Sequence, residues 1–195
     1  MLDQAIRFLA DTANTHLRNR GLTSTNVGEV IVGQLVDDTG KWAIAPDNIG
    51  MTLVNIEEDR VMRSQLPDYA YVGGSQVLLQ PELKLNLTVL FHARPSVGIG
   101  KYEQSLRFLS NLLTFFQAHP VFTPDEYPAL DPHIDKLLVE MLALSTEQLN
   151  QIWAYLGSKY LPSVAYRVRM VVLQDIEPLA IGKPITDIET ALGNK

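Results

Sequence analysis

The sequence predicts an α/β (α+β) protein in which a mixed or mostly antiparallel sheet packs with about three helices. Three observations carry that expectation. Leu83, Leu85, Leu87, Val89 and Phe91 alternate with Glu82, Lys84, Asn86 and Thr88, the period-two pattern of a strand with one face in a core and the other at least half wet. Leu2, Ile6, Leu9, Ala13 and Leu17, and again Tyr102, Leu106, Leu109, Leu113 and Phe116, recur at helical spacing and form stripes suited to lying on a sheet. The elements run helix, three strands, strand, helix, strand, helix, strand. A doubly wound nucleotide-binding fold is disfavoured, because it needs strict βαβ alternation and a glycine fingerprint after its first strand.

The first helix is expected over residues 3–20, stopped by Gly21. A β-branched run from Glu29 to Leu35 meets the turn signal Asp37-Asp38-Thr39-Gly40 and resumes at Lys41–Ile44, which reads as a hairpin with a short second arm. Ile49–Glu57 is the next strand. Residues 58–76 combine mixed charge, Pro67, two tyrosines and Gly73-Gly74 without either period, and read as a long loop. The strand at 82–92 and the helix ending at His119-Pro120 follow. Pro120, Pro124, Pro128 and Pro132 then impose an extended connection leading to a strand near Lys136–Leu144. Ser145 with Gln148 is a capping-box pattern that opens a short helix through Leu149, Ile152, Trp153 and Leu156, closed by Gly157. Val164–Leu173 is the last strand, with Arg167 and Arg169 on one face. A single domain is expected over 1–174 and a surface tail over 175–195.

Composition narrows the function classes. With 195 residues, 46% hydrophobic and 19% charged, the chain is an ordinary globular one, long enough to bury roughly two thirds of its unfolded surface without a staple. It has no cysteine, which removes thiol nucleophiles, disulfides and Cys-based metal sites. A net charge of -6 gives nucleic acid no whole-molecule field to follow. The N-terminus lacks the features of a secretory signal and no segment approaches ~18 uninterrupted apolar residues. Cytoplasmic synthesis without membrane insertion is therefore expected.

Candidate chemistry is sparse. Gly98-Ile99-Gly100 precedes a helix, but lacks a third glycine and the Lys-Ser/Thr of a phosphate loop, and reads as a turn. Asp131-Pro132-His133-Ile134-Asp135 offers carboxylate and imidazole ligands to a divalent metal, yet Pro132 leaves the geometry open and a solvated turn is favoured. Glu57-Glu58-Asp59-Arg60 reads as a strand-end salt bridge or inter-subunit contact rather than an acid/base pair. His16, His92, His119 and His133 share no metal-ligand spacing, and no Gly-x-Ser-x-Gly elbow accompanies them. Helical spacing places Trp153 in the core rather than in a base-stacking surface with Tyr155 and Tyr160. No cofactor and no catalytic residue is expected.

Three stretches, LVNIEEDR at 53–60, YEQSLRFLSNLLTFFQAHPVFT at 102–123 and LNQIWAYLGSKYLPSVAYRVRM at 149–170, resemble in order and spacing the cap, or tail-terminator, family of phage-tail-like contractile injection systems. The third is the most specific, through Gly157, Lys159, Tyr160, Leu161, Pro162, Ser163, Arg167 and Arg169. The resemblance implies a small phage tail-terminator-like α/β fold and a structural role without catalysis. It implies a hexameric ring that ends polymerisation of the inner-tube protein and attaches the last ring of the contractile sheath protein, assembled in the cytoplasm as part of a particle that is released or membrane-tethered. A closed ring is a heterologous interface whose rotation completes a circle. Aromatic and arginine residues with poor helical or strand burial make Arg60, Tyr69, Tyr71, Tyr160, Leu161, Pro162, Arg167 and Arg169 the candidate partner interface. In the competing view Tyr160-Leu161-Pro162 braces a helix-to-strand corner. Two other functions compete with the terminator: an adaptor for baseplate or cargo components of the same particle, and a metal enzyme using Asp131, His133 and Asp135.

Overall fold

The structure is a computed structural model that describes residues 2–22, 27–59, 68–72, 75–79, 83–173 and 180–181, with backbone alone at 68–72, 75–77, 79, 170–173 and 180–181. Its first helix, α1, spans Leu2–Asn19 and buries the expected stripe, Ile6, Leu9, Ala13 and Leu17, widened by Ala5, Phe8 and Ala10. Gly21, at φ 65, ends it: its N–H reaches the Arg18 carbonyl and the Leu22 N–H that of Leu17. Strands β1 (Val30–Val32) and β2 (Asn48–Glu58) follow, then the hairpin strands β3 (Asp68–Val72) and β4 (Ser75–Leu79), and β5 (Leu83–Arg94). The second half holds α2 (Lys101–Ala118), β6 (Val121–Phe122), β7 (Leu137–Met141), α3 (Thr146–Tyr155), β8 (Ser163–Leu173) and β9 (Ala180–Ile181).

Six strands form one mixed sheet in the order β1-β2-β5-β8-β7-β6, all antiparallel except the β1–β2 pair. This agrees with the expected class. Helices α1 and α2 cover one face, where Ile49, Met51, Leu87, Val89, Phe91, Tyr166 and Val168 meet Phe108, Leu112, Phe115 and Phe116. The proline-rich connection contributes Phe122, Leu130 and Ile134 to the same core, with the Phe122 ring 5.6 Å from Phe8. Helix α3 packs on the opposite face at one end, through Trp153 over Leu90 and Ala165. The capping box that opens α3 is formed in full: Gln148 N–H donates to Ser145 Oγ (3.2 Å) and Ser145 N–H donates to Gln148 Oε1 (2.9 Å).

Two expectations are corrected. The run at 29–35 pairs in parallel with β2, and its link to 41–44 is the single bridge Val36–Trp42; Asp37 still makes the turn, accepting from the N–H groups of Thr39 and Lys41. Parallel pairing prevails because Asn14 on α1 closes the other edge of β1, accepting from Val30 N–H (2.7 Å) and donating to its carbonyl (2.9 Å). Second, the stretch read as a loop at 58–76 contains β3 and the start of β4, paired antiparallel from Asp68–Leu79 to Val72–Ser75. Gly73-Gly74 between two β-rich runs was the overlooked hairpin signal. The expected extended connection also carries β6, whose entry is Pro120, a residue that accepts from Val139 N–H and needs no donor of its own to start the strand. Of the tail, Ala180–Ile181 pair with β4; the rest lies outside the described residues.

Candidate functional site

The sequence clusters considered for chemistry close on themselves. Asp131 Oδ1 accepts from the His133 N–H (2.9 Å) and lies 2.8 Å from His133 Nδ1, an Asx turn whose bonds hold the Asp131 carboxyl below its usual range. Among the described residues no group of three or more His, Asp or Glu side chains is placed to hold a metal ion. The histidines lie apart: His16 stacks on Phe115, His119 caps α2 and meets the Tyr127 hydroxyl (3.0 Å), and His92 is buried in the sheet.

The Gly98–Gly100 turn already has an anion. Asp47 Oδ1 accepts from Ser96 N–H (3.0 Å), while Oδ2 accepts from Ser96 Oγ (2.8 Å) and lies 3.1 Å from Lys101 Nζ. Burial raises the Asp47 pKa, but the Ser96 and Lys101 hydrogen bonds outweigh it and hold the carboxyl below its usual range. Asp47 also sits at φ 62, donates its N–H to the Arg94 carbonyl and accepts from Gly28 N–H. This clasp fixes a loop whose tip carries two fully exposed aliphatic side chains, Val97 and Ile99, continued along α2 by Tyr102 and Leu106. Such a rigid apolar tip is unusual on a free surface and suits a contact. It has a sequence signal in Pro95-Ser96-Val97-Gly98-Ile99-Gly100, apolar residues between turn formers, which was read only as a turn.

Asp47→Ala is expected to cost about 3 kcal/mol, from lost hydrogen bonds near 1 kcal/mol each and from the poorer tolerance of alanine than of aspartate for the left-handed region. Asp47→Gly should cost less and Asp47→Asn least, because each restores one of those losses. Urea midpoints of the three variants check the order.

The predicted interface residues fall into separate groups. Arg60 lies outside the described residues, and Tyr69 and Tyr71 are backbone positions on β3 opposite Leu78 and Gln76 of β4. Tyr160 is exposed, its ring 5.7 Å from that of Trp153. Leu161 is half-buried against the α3 cluster, and Pro162 is buried, its carbonyl accepting from Ala93 N–H (2.9 Å). These two residues therefore brace the corner between α3 and β8. Arg167 and Arg169 are half-buried on the sheet face that carries α3 at its other end. The registers align Asn55, Thr88, Arg167 and Glu140 in one row across four strands, and Arg169 Nε lies 3.3 Å from Glu140 Oε2. This polar row and the Val97–Ile99 tip are the surfaces best suited to partners.

Residues 2–187 match the family described as the Pvc16 N-terminal domain. Among solved structures the chain is similar to the PVC sheath/tube terminator of an extracellular contractile injection system in its extended state, with TM-score 0.64 and 14% identity over 96% of this chain and 63% of that one. It is also similar to the tube-terminating cap of the anti-feeding prophage, with TM-score 0.57 and 16% identity over 92% of this chain and 58% of that one. The chain thus spans less than two thirds of the length of either protein. No curated protein sequence matches it.

Proposed function

Because this chain belongs to the family of the Pvc16 N-terminal domain, we propose that it is a structural cap subunit of a contractile injection particle, one that ends polymerisation of the inner tube and attaches the last ring of the sheath. The observation that carries this reading is the fold, shared along 96% of the chain with a sheath/tube terminator. The assignment involves no catalytic step. Assembly takes place in the cytoplasm, and no helix among the described residues is long and apolar enough to cross a membrane.

A cap must meet the tube, the sheath and its own copies through different surfaces, and a sixfold ring needs two unlike, complementary sides on each subunit. The rigid tip at Val97 and Ile99 suits a permanent contact, since its conformational entropy is already lost before binding. The polar row with Arg167, Arg169 and Glu140 suits an electrostatically selected partner.

Imaging particles from cells with and without this chain tests the proposal. Loss of the chain should abolish particles or leave tubes of irregular length with bare distal ends. Uniform particles with their caps in place would overturn the proposal and is the outcome an adaptor for baseplate or cargo would give.

A further inference from the structure

The flank of α2 that faces away from α1 is largely apolar and joins two unlike features. Tyr102, Leu106, Leu113 and Gln117 recur at four- and seven-residue steps and so share one side of the helix, whereas Asn111 and Phe115, which meet Arg20 and His16 at the end of α1, lie on the other. At the N-terminal end of this flank stands the convex tip, Val97 and Ile99, held by the Asp47 clasp. At its C-terminal end a groove of about 590 Å³ opens between α2 and β7. Phe116 and Tyr166 are its buried floor, and Leu113, Pro120 and the exposed Met141 stand around it. An apolar surface of this extent, convex at one end and concave at the other, marks a contact.

The tip cannot fill the groove of its own chain. The 18 residues of α2 lie between them, about 27 Å of rigid rod, and the clasp fixes the tip at the far end. Two tips meeting each other would bury only a few side chains and leave both grooves empty. A tip that enters the groove of a second copy covers both surfaces, and leaves a free groove on one copy and a free tip on the other, which is a heterologous, head-to-tail arrangement. The charges agree with an apolar contact. At the tip, Lys101 Nζ is engaged by Asp47 (3.1 Å) and Gln104 (3.3 Å); at the groove, the Glu140 carboxylate lies 3.3 Å from Arg169 Nε. The exposed Glu103 beside Tyr102 falls at the rim, where a carboxylate stays hydrated.

We propose that the Val97–Ile99 tip of one copy of this chain seats in the groove between α2 and β7 of the next, with Tyr102 and Leu106 extending the contact, so that copies associate head to tail. The contact deepens the cap assignment, and rests on it only for closure of the copies into a sixfold ring.

The absence of cysteine makes the test direct. The full chain is prepared as Ile99→Cys, as Met141→Cys and as the double variant, both positions being exposed, and is oxidised with diamide. The double variant is expected to give a ladder of disulfide-linked multimers. An equal mixture of the single variants should give a dimer and nothing longer, with each single variant alone giving at least about tenfold less dimer, because a disulfide forms efficiently only where the contact holds the two Cβ atoms close. Ile99→Asp, at a fully exposed position that leaves the fold intact, should weaken association of the otherwise unchanged chain at least about tenfold in sedimentation velocity, since the contact would bury its charge. Three results would overturn the proposal: no excess of linked product in the mixture over the single variants; Ile99→Cys alone forming as much dimer as the mixture, which would mean that tips pair with each other; or association unchanged by Ile99→Asp, which would assign the contact to another surface. A ladder that runs past six copies would leave the contact standing and count against the sixfold ring of the cap.

Discussion

Gly50→Ala is expected to destabilise the protein by about 3 kcal/mol or more, an unusually large effect for one added methyl. Gly50 lies directly opposite His92 in the β2–β5 ladder, and the imidazole lies across the space its side chain would take. A Cβ at this position would overlap the His92 ring on one side and the Ile44 side chain on the other. The Ile44 contact is with its terminal methyl, which can swing aside, but the His92 ring cannot. His92 is fully buried and meets the Trp153 ring edge-on at 6.2 Å, while the Ile44 carbonyl is held by the Arg94 guanidinium, itself 5.8 Å above Trp42. Shrinking the ring should relieve the overlap, so the double variant Gly50→Ala/His92→Ala is expected to be no less stable than Gly50→Ala alone. The two substitutions would then couple by about 2 kcal/mol or more in a double-mutant cycle. Urea unfolding of the four proteins decides this. Additive costs would mean that the strand moves to admit the methyl.

The second large effect is a loss of stability in mild acid. Thr52 Oγ1 spends its one proton on the Gly33 carbonyl (2.9 Å), so at 3.3 Å it can only accept from His92 Nε2–H. That assigns the neutral tautomer with a bare Nδ1, which is buried without a hydrogen-bond partner. Protonation would place a second N–H where no acceptor stands, and burial accordingly lowers the His92 pKa from 6.5 to about 4. The unfolded chain therefore binds the proton first. Stability is complete above the unfolded value and falls with pH between 6.5 and about 4. The loss from pH 7 to 4.5 is about 2.5 kcal/mol from this residue. His16, lowered by burial and by Arg20 and His119, acts in the same direction. Carboxylates such as Asp47, with pKa values below 3.8, act lower down the scale. His92→Gln keeps a donor for Thr52 and cannot titrate, so the difference between its pH profile and that of the wild type isolates the effect. Parallel profiles would show that His92 is not the responsible group.

Periodicity was enough to place the helices and long strands, because a helical stripe or a period-two alternation is a local consequence of which side chains must leave water. Leu2–Leu17 and Leu85–Phe91 named the face that is buried, whereas in α2 Leu109 and Phe116 are buried with Phe108, Leu112 and Phe115 while Tyr102 and Leu106, on the expected stripe, are exposed. Ser145 with Gln148 named the start of α3, since a cap satisfies N–H groups only three residues away. Pairing partners were not legible in this way. The parallel docking of β1 depends on Asn14, sixteen residues earlier, and the hairpin at 68–79 was hidden in a mixed-charge segment.

The candidate surfaces divide along the same line. Tyr160, Arg167 and Arg169 were identifiable by residue type, and their differing surroundings were not: an exposed ring beside Trp153, and arginines aligned with Asn55, Thr88 and Glu140. The resemblance already named the cap family, which the match over residues 2–187 establishes. By itself, then, the sequence determined the class of fold, the order and type of most elements, and the absence of cysteine chemistry. Only the tertiary structure decided which histidine is kept neutral and which aliphatic residues the Asp47 clasp holds in water at Val97 and Ile99. Each of these depends on groups far apart in the chain, and the free energy of their contacts exists only once the sheet has brought them together.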